Sequence, residues 1–295
     1  MLIGKNLSLF RILKITWKVD LLMIIFCSIT YLVDVYVLVS FKLPIAYPAL
    51  MGTAIAFFIG FNNNQAYDRW WEARTIWGGI VNDSRSWARN LLAYNQDKEA
   101  TERMVYRHIG FLYALTASLR RFDDDKSYLD YIPKSDIVKL QSKSHIPNAL
   151  LRIQSEELKQ LRDKQQITDF EFLGLNSLLE NLCDGMGKSE RINNTVFPIS
   201  YLFFTKLFIW IFIALITMST NSEVGWQSVI LSWLMGFVFN TIHLNGLSLM
   251  NPFEYHSSGV PISSITRNIE INLLQEIGAD YIPPPLQPIN DEYIL

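Results

Sequence analysis

The chain has 295 residues, 50% of them hydrophobic and 18% charged, with a formal net charge of −2. A soluble domain carries about 25% charged residues, so the deficit points to lipid, and the near-neutral balance gives no electrostatic case for nucleic acid as a partner. Phe (18 residues), Tyr (13) and Trp (8) are plentiful, as expected where side chains sit at a membrane boundary.

Residues 1–19 (MLIGKNLSLFRILKITWKV) set Lys5, Arg11, Lys14 and Lys18 among apolar residues, the pattern of a basic amphipathic segment on a membrane surface. The apolar run that follows, residues 21–41, is about 20 residues long, which is spanning length and too long for a signal-peptide core. No small-residue cleavage pattern follows it, so a retained transmembrane helix is expected, its N-terminus held in the cytoplasm by the upstream cations. Asp34 lies inside this span, where a carboxylate costs roughly 2.5 to 3.5 kcal/mol at mid-bilayer. It is expected to face protein or water, or to lie near the outer interface. Lys42-Leu43-Pro44 then form a short outer turn, because proline breaks a helix and biases its predecessor to extended backbone.

The stretch at 48–87 holds the rest of the chain together. Its first half, residues 47–61, is apolar enough for a bilayer; its second half, with Arg69, Arg74 and Arg85, is too charged to stay there. One element leaves the membrane as it proceeds. Thr53, Phe57 and Phe61 recur every four residues, so an α-helix places them in one row with a slow drift around the axis. Such a row either packs a core or lines something. Where the helix would meet water lie Asn62-Asn63-Asn64-Gln65, amides that offer donors and acceptors without favouring one charge sign.

From residue 87 to 195 there is no run of membrane length. Residues 88–121 and 148–183 carry apolar side chains at helical spacing, as in Ile153, Leu158 and Leu161, then Phe172, Leu175, Leu178, Leu179 and Leu182. Between them Asp123-Asp124-Asp125 and Pro133 mark a loop whose carboxylates lack the alternating spacing of a calcium loop. Two more spans follow at 198–218 and 226–249, joined by the outer loop TNSEVG, with Lys206 able to snorkel to the cytoplasmic edge. Asn240 and His243 share a face of the last span, a functional pair or an interhelical hydrogen-bonding one. After Asn251-Pro252-Phe253 comes a polar turn, then a helix at 263–277 capped by Gly278. The tail DYIPPPLQPINDEYIL is proline-rich and extended, suited to lying along a neighbouring subunit.

Catalytic and metal signatures are missing. The histidines His108, His145, His243 and His256 are not paired at metal-ligand spacing. Cys27 and Cys183 are too differently placed for a disulfide framework or thiolate site. Gly185-Met186-Gly187-Lys188-Ser189 fails as a phosphate loop because its first glycine would fall at Leu182, and no nucleophile elbow is visible. No enzyme activity, cofactor or metal is expected.

With Gly60-Phe61, Arg69-Trp70-Trp71 and Asn251-Pro252-Phe253, the sequence resembles the bestrophin family of channels in its short bacterial branch, over nearly the whole chain. The resemblance implies an all-α integral membrane protein of the inner membrane, with four transmembrane helices per subunit, a large helical cytosolic region and both termini cytoplasmic. It implies a division into 1–19, 20–62, 63–195, 196–250 and 251–295. It implies a homopentamer around one pore, passing small monovalent ions and partnered only by itself, those ions and membrane lipid. Carried over, the hydrophobic neck falls on Thr53, Phe57 and Phe61, the polar lining at the pore exit on Asn62 and Gln65, and a cytosolic aperture near Phe170. Thr53 departs from the aliphatic residue often found at the first neck level. Animal bestrophins hold calcium with an acidic run after the NPF motif; here Glu254-Tyr255-His256-Ser257-Ser258-Gly259 has one carboxylate, so calcium gating of that kind is not expected. Animal members pass anions while bacterial relatives can favour cations, and the slightly negative chain leans weakly toward cations. Two other readings stay open: a non-conducting, membrane-anchored helical scaffold or receptor, and a membrane enzyme built on His243 and Asn240.

Overall fold

The computed structural model describes residues 9–122, 124–196, 198–289 and 293. The named elements among them are all helical: α1 (Leu9–Tyr36), α2 (Ala46–Tyr94), α3 (Lys98–Arg120), a 3₁₀ turn (Ser127–Tyr131), α4 (Lys134–Leu140), α5 (Ile146–Asp163), α6 (Asp169–Asn194), α7 (Ile199–Val224), α8 (Gln227–Leu247) and α9 (Ile262–Ile277). They form two compact units, one from the described part of Gly4–Arg69 with Val196–Met250, the other from Trp70–Thr195 with the described part of Asn251–Leu295.

In the first unit α1, α7 and α8 pack against one another. Three segments are long and apolar enough to cross a membrane: Ile12–Tyr36, Ser200–Val224 and Gln227–Leu247. Their shared core is small, with Met23, Cys27, Ile209, Phe212 and Ile213 meeting Ile55 and Ile59 of α2. Leu21, Leu22, Phe203 and Leu234 are exposed, an apolar outer surface that suits lipid and would be a liability in water. The sequence reading expects four spans. The apolar stretch of α2 is not among the three found by length and composition, because it begins after Pro48 and gives way to amides at Asn62.

The basic segment and the first apolar run are one element, since α1 continues unbroken through Lys14 and Lys18. Lys5 and the rest of residues 1–8 lie outside the described residues.

The second unit has a conventional core in which Trp77, Trp87, Met104, Ile109, Phe111, Leu158, Leu175 and Leu182 are buried together. The helical pattern at 88–121 is broken once, where Asn95 Nδ2 donates to the carbonyl of Asp97 (3.1 Å) and to Thr101 Oγ1 (3.0 Å), and the Asp97 carboxylate accepts from Ala100 N (3.0 Å). That cap ends one helix and starts the next. Helix α3 runs through the centre of this unit, against α5, α6 and α9. Its buried Arg107 pairs with Asp136 (2.6 Å) and Glu157 (2.7 Å) and donates to Gln154 Oε1 (2.9 Å). On α9, buried Glu270 accepts from the hydroxyls of Tyr113 and Tyr131, both at 2.6 Å. Loss of solvent and that carboxylate push both phenols well above their ordinary range. Gly278, at φ +69°, closes α9 in the left-handed conformation. Asp123 of the acidic loop, and residues 290–292, 294 and 295 of the tail, lie outside the described residues.

Candidate functional site

Helix α2 has two unlike faces. Ile55, Ile59, Asn62 and Ala66 are buried, and they recur at helical spacing along the side that meets α7. Gly52 permits the closest approach there: a Cβ on it would stand 2.9 Å from Cε2 of Phe212. The other face carries Thr53, Phe57, Phe61 and Gln65, all exposed within the chain. Phe57 is 77% exposed and Phe61 56%. Each four-residue step turns about 40° around the axis, so the row winds slowly, by about 80° from Thr53 to Phe61 and about 120° by Gln65. Thr53 donates its hydroxyl to the carbonyl of Ala49 at 3.0 Å, so that hydroxyl is satisfied inside its own helix. A fold does not keep large aromatic rings uncovered at such spacing for its own packing.

The amide run divides between the faces. Asn62, expected with Gln65 to line the exit of a pore, is 7% exposed and donates to Thr205 Oγ1 of α7 at 3.3 Å. Its place in the exposed row is therefore withdrawn: it lies one residue past Phe61, about 100° further around the helix, and holds α2 to α7. Asn63 donates to the carbonyl of Ile242 on α8 at 3.1 Å. Asn64 and Gln65 are exposed, and Gln65 continues the row.

In the second unit Phe170, the expected aperture residue, is the second residue of α6 and 86% exposed, with Leu173 beside it at 60%. The helix start beneath it is firmly set. Thr168 N donates to Glu171 Oε2 (2.7 Å) and Glu171 N to Thr168 Oγ1 (3.3 Å), a reciprocal capping box. The backbone N–H and the hydroxyl of Thr168 both donate to Glu171 Oε2 and hold that carboxyl below its usual range.

The remaining polar residues singled out from the sequence do not join the row. Asn240 and His243 are each 3% exposed, inside the first unit. Asp34 is 8% exposed and accepts from Asn221 Nδ2 at 2.8 Å, near the end of α1. Among the described residues no group of three or more His, Cys, Asp or Glu is placed to hold a metal ion. His108 is wholly buried, with its ring stacked on Phe111 at 5.7 Å between centroids, and desolvation pulls its pKa down to about 3. The Arg107 cluster escapes a reading of the sequence, because its members come from three separate helices, α3, α4 and α5, and only Gln154 and Glu157 share one.

A family model described as bacterial/fungal bestrophin protein matches residues 10–275. The voltage-dependent anion channel-forming protein YneE of Escherichia coli (strain K12) is 26% identical over 275 residues, 93% of this chain and 90% of that protein. The protein of the same name from Salmonella typhi is 29% identical over 254 residues, 84% of this chain and 83% of that one. In structure, a bacterial bestrophin homolog from Klebsiella pneumoniae is similar with a TM-score of 0.82 at 24% identity, covering 88% of this chain and 97% of that chain. That likeness is one of fold, and the family match runs from α1 through most of α9. The chain is thus a membrane protein that belongs to the bacterial and fungal bestrophin family, a bestrophin-like ion channel.

Proposed function

We propose that five copies of this chain surround one axis in the bacterial inner membrane, with α2 as the second of four spans and both termini in the cytoplasm. Ions cross along the exposed face of α2. They pass rings of Thr53, Phe57 and Phe61, then Gln65, and further on an aperture ring of Phe170. The observation that carries this reading is the uncovered aromatic row opposite a buried, hydrogen-bonded face on the same helix.

Apolar rings conduct only when wet. A constriction lined by Phe57 and Phe61 excludes water when narrow, and a small widening lets hydrated ions through, so opening is a wetting transition. The rings do not choose a sign, since aromatic edges accept anions and faces accept cations. The curated relatives carry an anion-channel name, and we extend anion passage to this chain, although its charge of −2 leans weakly the other way. Reversal potentials in asymmetric sodium chloride decide the sign. The assembly is tested by the mass of the detergent-solubilised protein: a five-fold mass supports the axis, and a monomer removes it.

A further inference from the structure

The first unit holds a cleft of about 190 Å³ where α1 and α7 end, lined among others by Asp34, Leu38, Phe41, Lys42, Met218 and Asn221. Two opposite charges face it. Asp34 as a whole residue is 8% exposed, and its carboxylate takes a hydrogen bond from Asn221. Lys42 stands exposed on the turn after α1. No ion pair among the described residues joins the two or ties either to another side chain. A mostly buried carboxylate without a cation is costly, and it would gain from one brought by a ligand.

The rim is apolar and open. Val39 is 70% exposed and Phe41 54%, and Tyr36 (75%), Tyr47 (61%) and Trp226 (61%) stand uncovered at the same end of the helices. Exposed Tyr and Trp gathered at one end of apolar helices mark the level of lipid headgroups. A molecule that fits must carry an ammonium group with N–H donors for Asp34, an anionic group for Lys42, and a hydrocarbon part for the rim.

We propose that this cleft binds the headgroup of a zwitterionic aminophospholipid, phosphatidylethanolamine in chemistry, with its ammonium on Asp34, its phosphate on Lys42 and its chains against Leu38, Val39 and Phe41. The site rests on α1 and α7 spanning the membrane and is independent of the pore. Phosphatidylcholine lacks the N–H donors, and phosphatidylglycerol lacks the cation.

The test is native mass spectrometry of the full-length protein in detergent with phosphatidylethanolamine, phosphatidylcholine or phosphatidylglycerol of identical chains. The expected result is a roughly tenfold preference for phosphatidylethanolamine, the effect of one charge-assisted hydrogen bond. Asp34→Asn should erase its advantage over phosphatidylcholine. Lys42→Gln, a change at an exposed residue, should weaken retention of all three lipids, since each carries a phosphate. Equal retention of the three lipids by the unmodified protein, or an unchanged preference in both variants, overturns the site. So does displacement of the lipid by an equal concentration of soluble phosphoethanolamine, which would make the occupant a free zwitterion. Conductance is read separately in bilayers: loss of lipid preference with current intact removes the headgroup site alone, and absent current with the preference intact removes the pore alone.

Discussion

Asn62 donates its side-chain amide to the hydroxyl of Thr205 at 3.3 Å across 143 positions of chain, while its neighbour Phe61 stays 56% exposed. One helix therefore carries a face committed to its own subunit and a face committed to nothing within it. The functional reading follows from that asymmetry, because only the uncommitted face is free to meet an axis.

Substitutions should separate the two faces. Phe57→Ala and Phe61→Ala are expected to raise ionic current several-fold in planar bilayers, since smaller rings wet more readily, with stability changed by no more than about 0.5 kcal/mol within one subunit. Asn62→Ala is expected to cost about 0.5–1.5 kcal/mol by removing a buried hydrogen bond between α2 and α7, read as a lower unfolding temperature in detergent.

Helix α8 approaches α2 through Gly246, where an added Cβ would collide with the side-chain oxygen of Asn63. Gly246→Ala should destabilise the first unit by about 1–3 kcal/mol through overpacking. Asn63→Ala clears that space and gives up the bond to the Ile242 carbonyl. The double variant should then be more stable than the sum of the single losses allows, as thermal unfolding of the four proteins would register.

Arg107, with a side chain 2% exposed, serves Asp136, Glu157 and Gln154 at once. Arg107→Leu removes the buried cation shared by Asp136 and Glu157 and leaves them only the more exposed Lys139 and Arg103, which should cost about 3 kcal/mol. Protease resistance of the second unit should fall with it, whereas Arg152→Leu, which removes an exposed i,i+4 pair with Glu156, should change it little.

His108 makes stability depend on pH. Its pKa is near 3 in the folded chain against an ordinary 6.5. Between those values the unfolded chain binds a proton that the folded one refuses, so the stabilisation is complete above pH 6.5 and lost as pH falls toward 3. The slope is about 1.4 kcal/mol per pH unit from this residue. His108→Leu, of similar volume, should flatten the acid side of the stability profile; an unchanged acid limb would locate that sensitivity elsewhere.

Much of the helical order was legible in the sequence. Leu175, Leu179 and Leu182 repeat at helical spacing and are buried, because the period of an apolar stripe reports its packing side directly. The row of Thr53, Phe57 and Phe61 was visible by the same spacing, and its exposure was not, since periodicity alone does not separate a packed stripe from a free one. Asn62 misled for a related reason. Within four consecutive amides hydropathy has no phase, and only the continuation of Ile55 and Ile59 through Ala66 assigns Asn62 to the packed side. The break at Asn95–Asp97 was hidden because the reading followed apolar residues, whereas the cap is written in the hydrogen bonds of polar side chains.

The most direct measurement is electron-microscopy density of the detergent-solubilised protein, resolved well enough to place α2 side chains. The expected density has five copies with Phe57 and Phe61 turned to the symmetry axis and Asn62 turned away toward α7. A ring in which those phenylalanines face lipid or a neighbouring subunit, with another helix lining the centre, would contradict the pore.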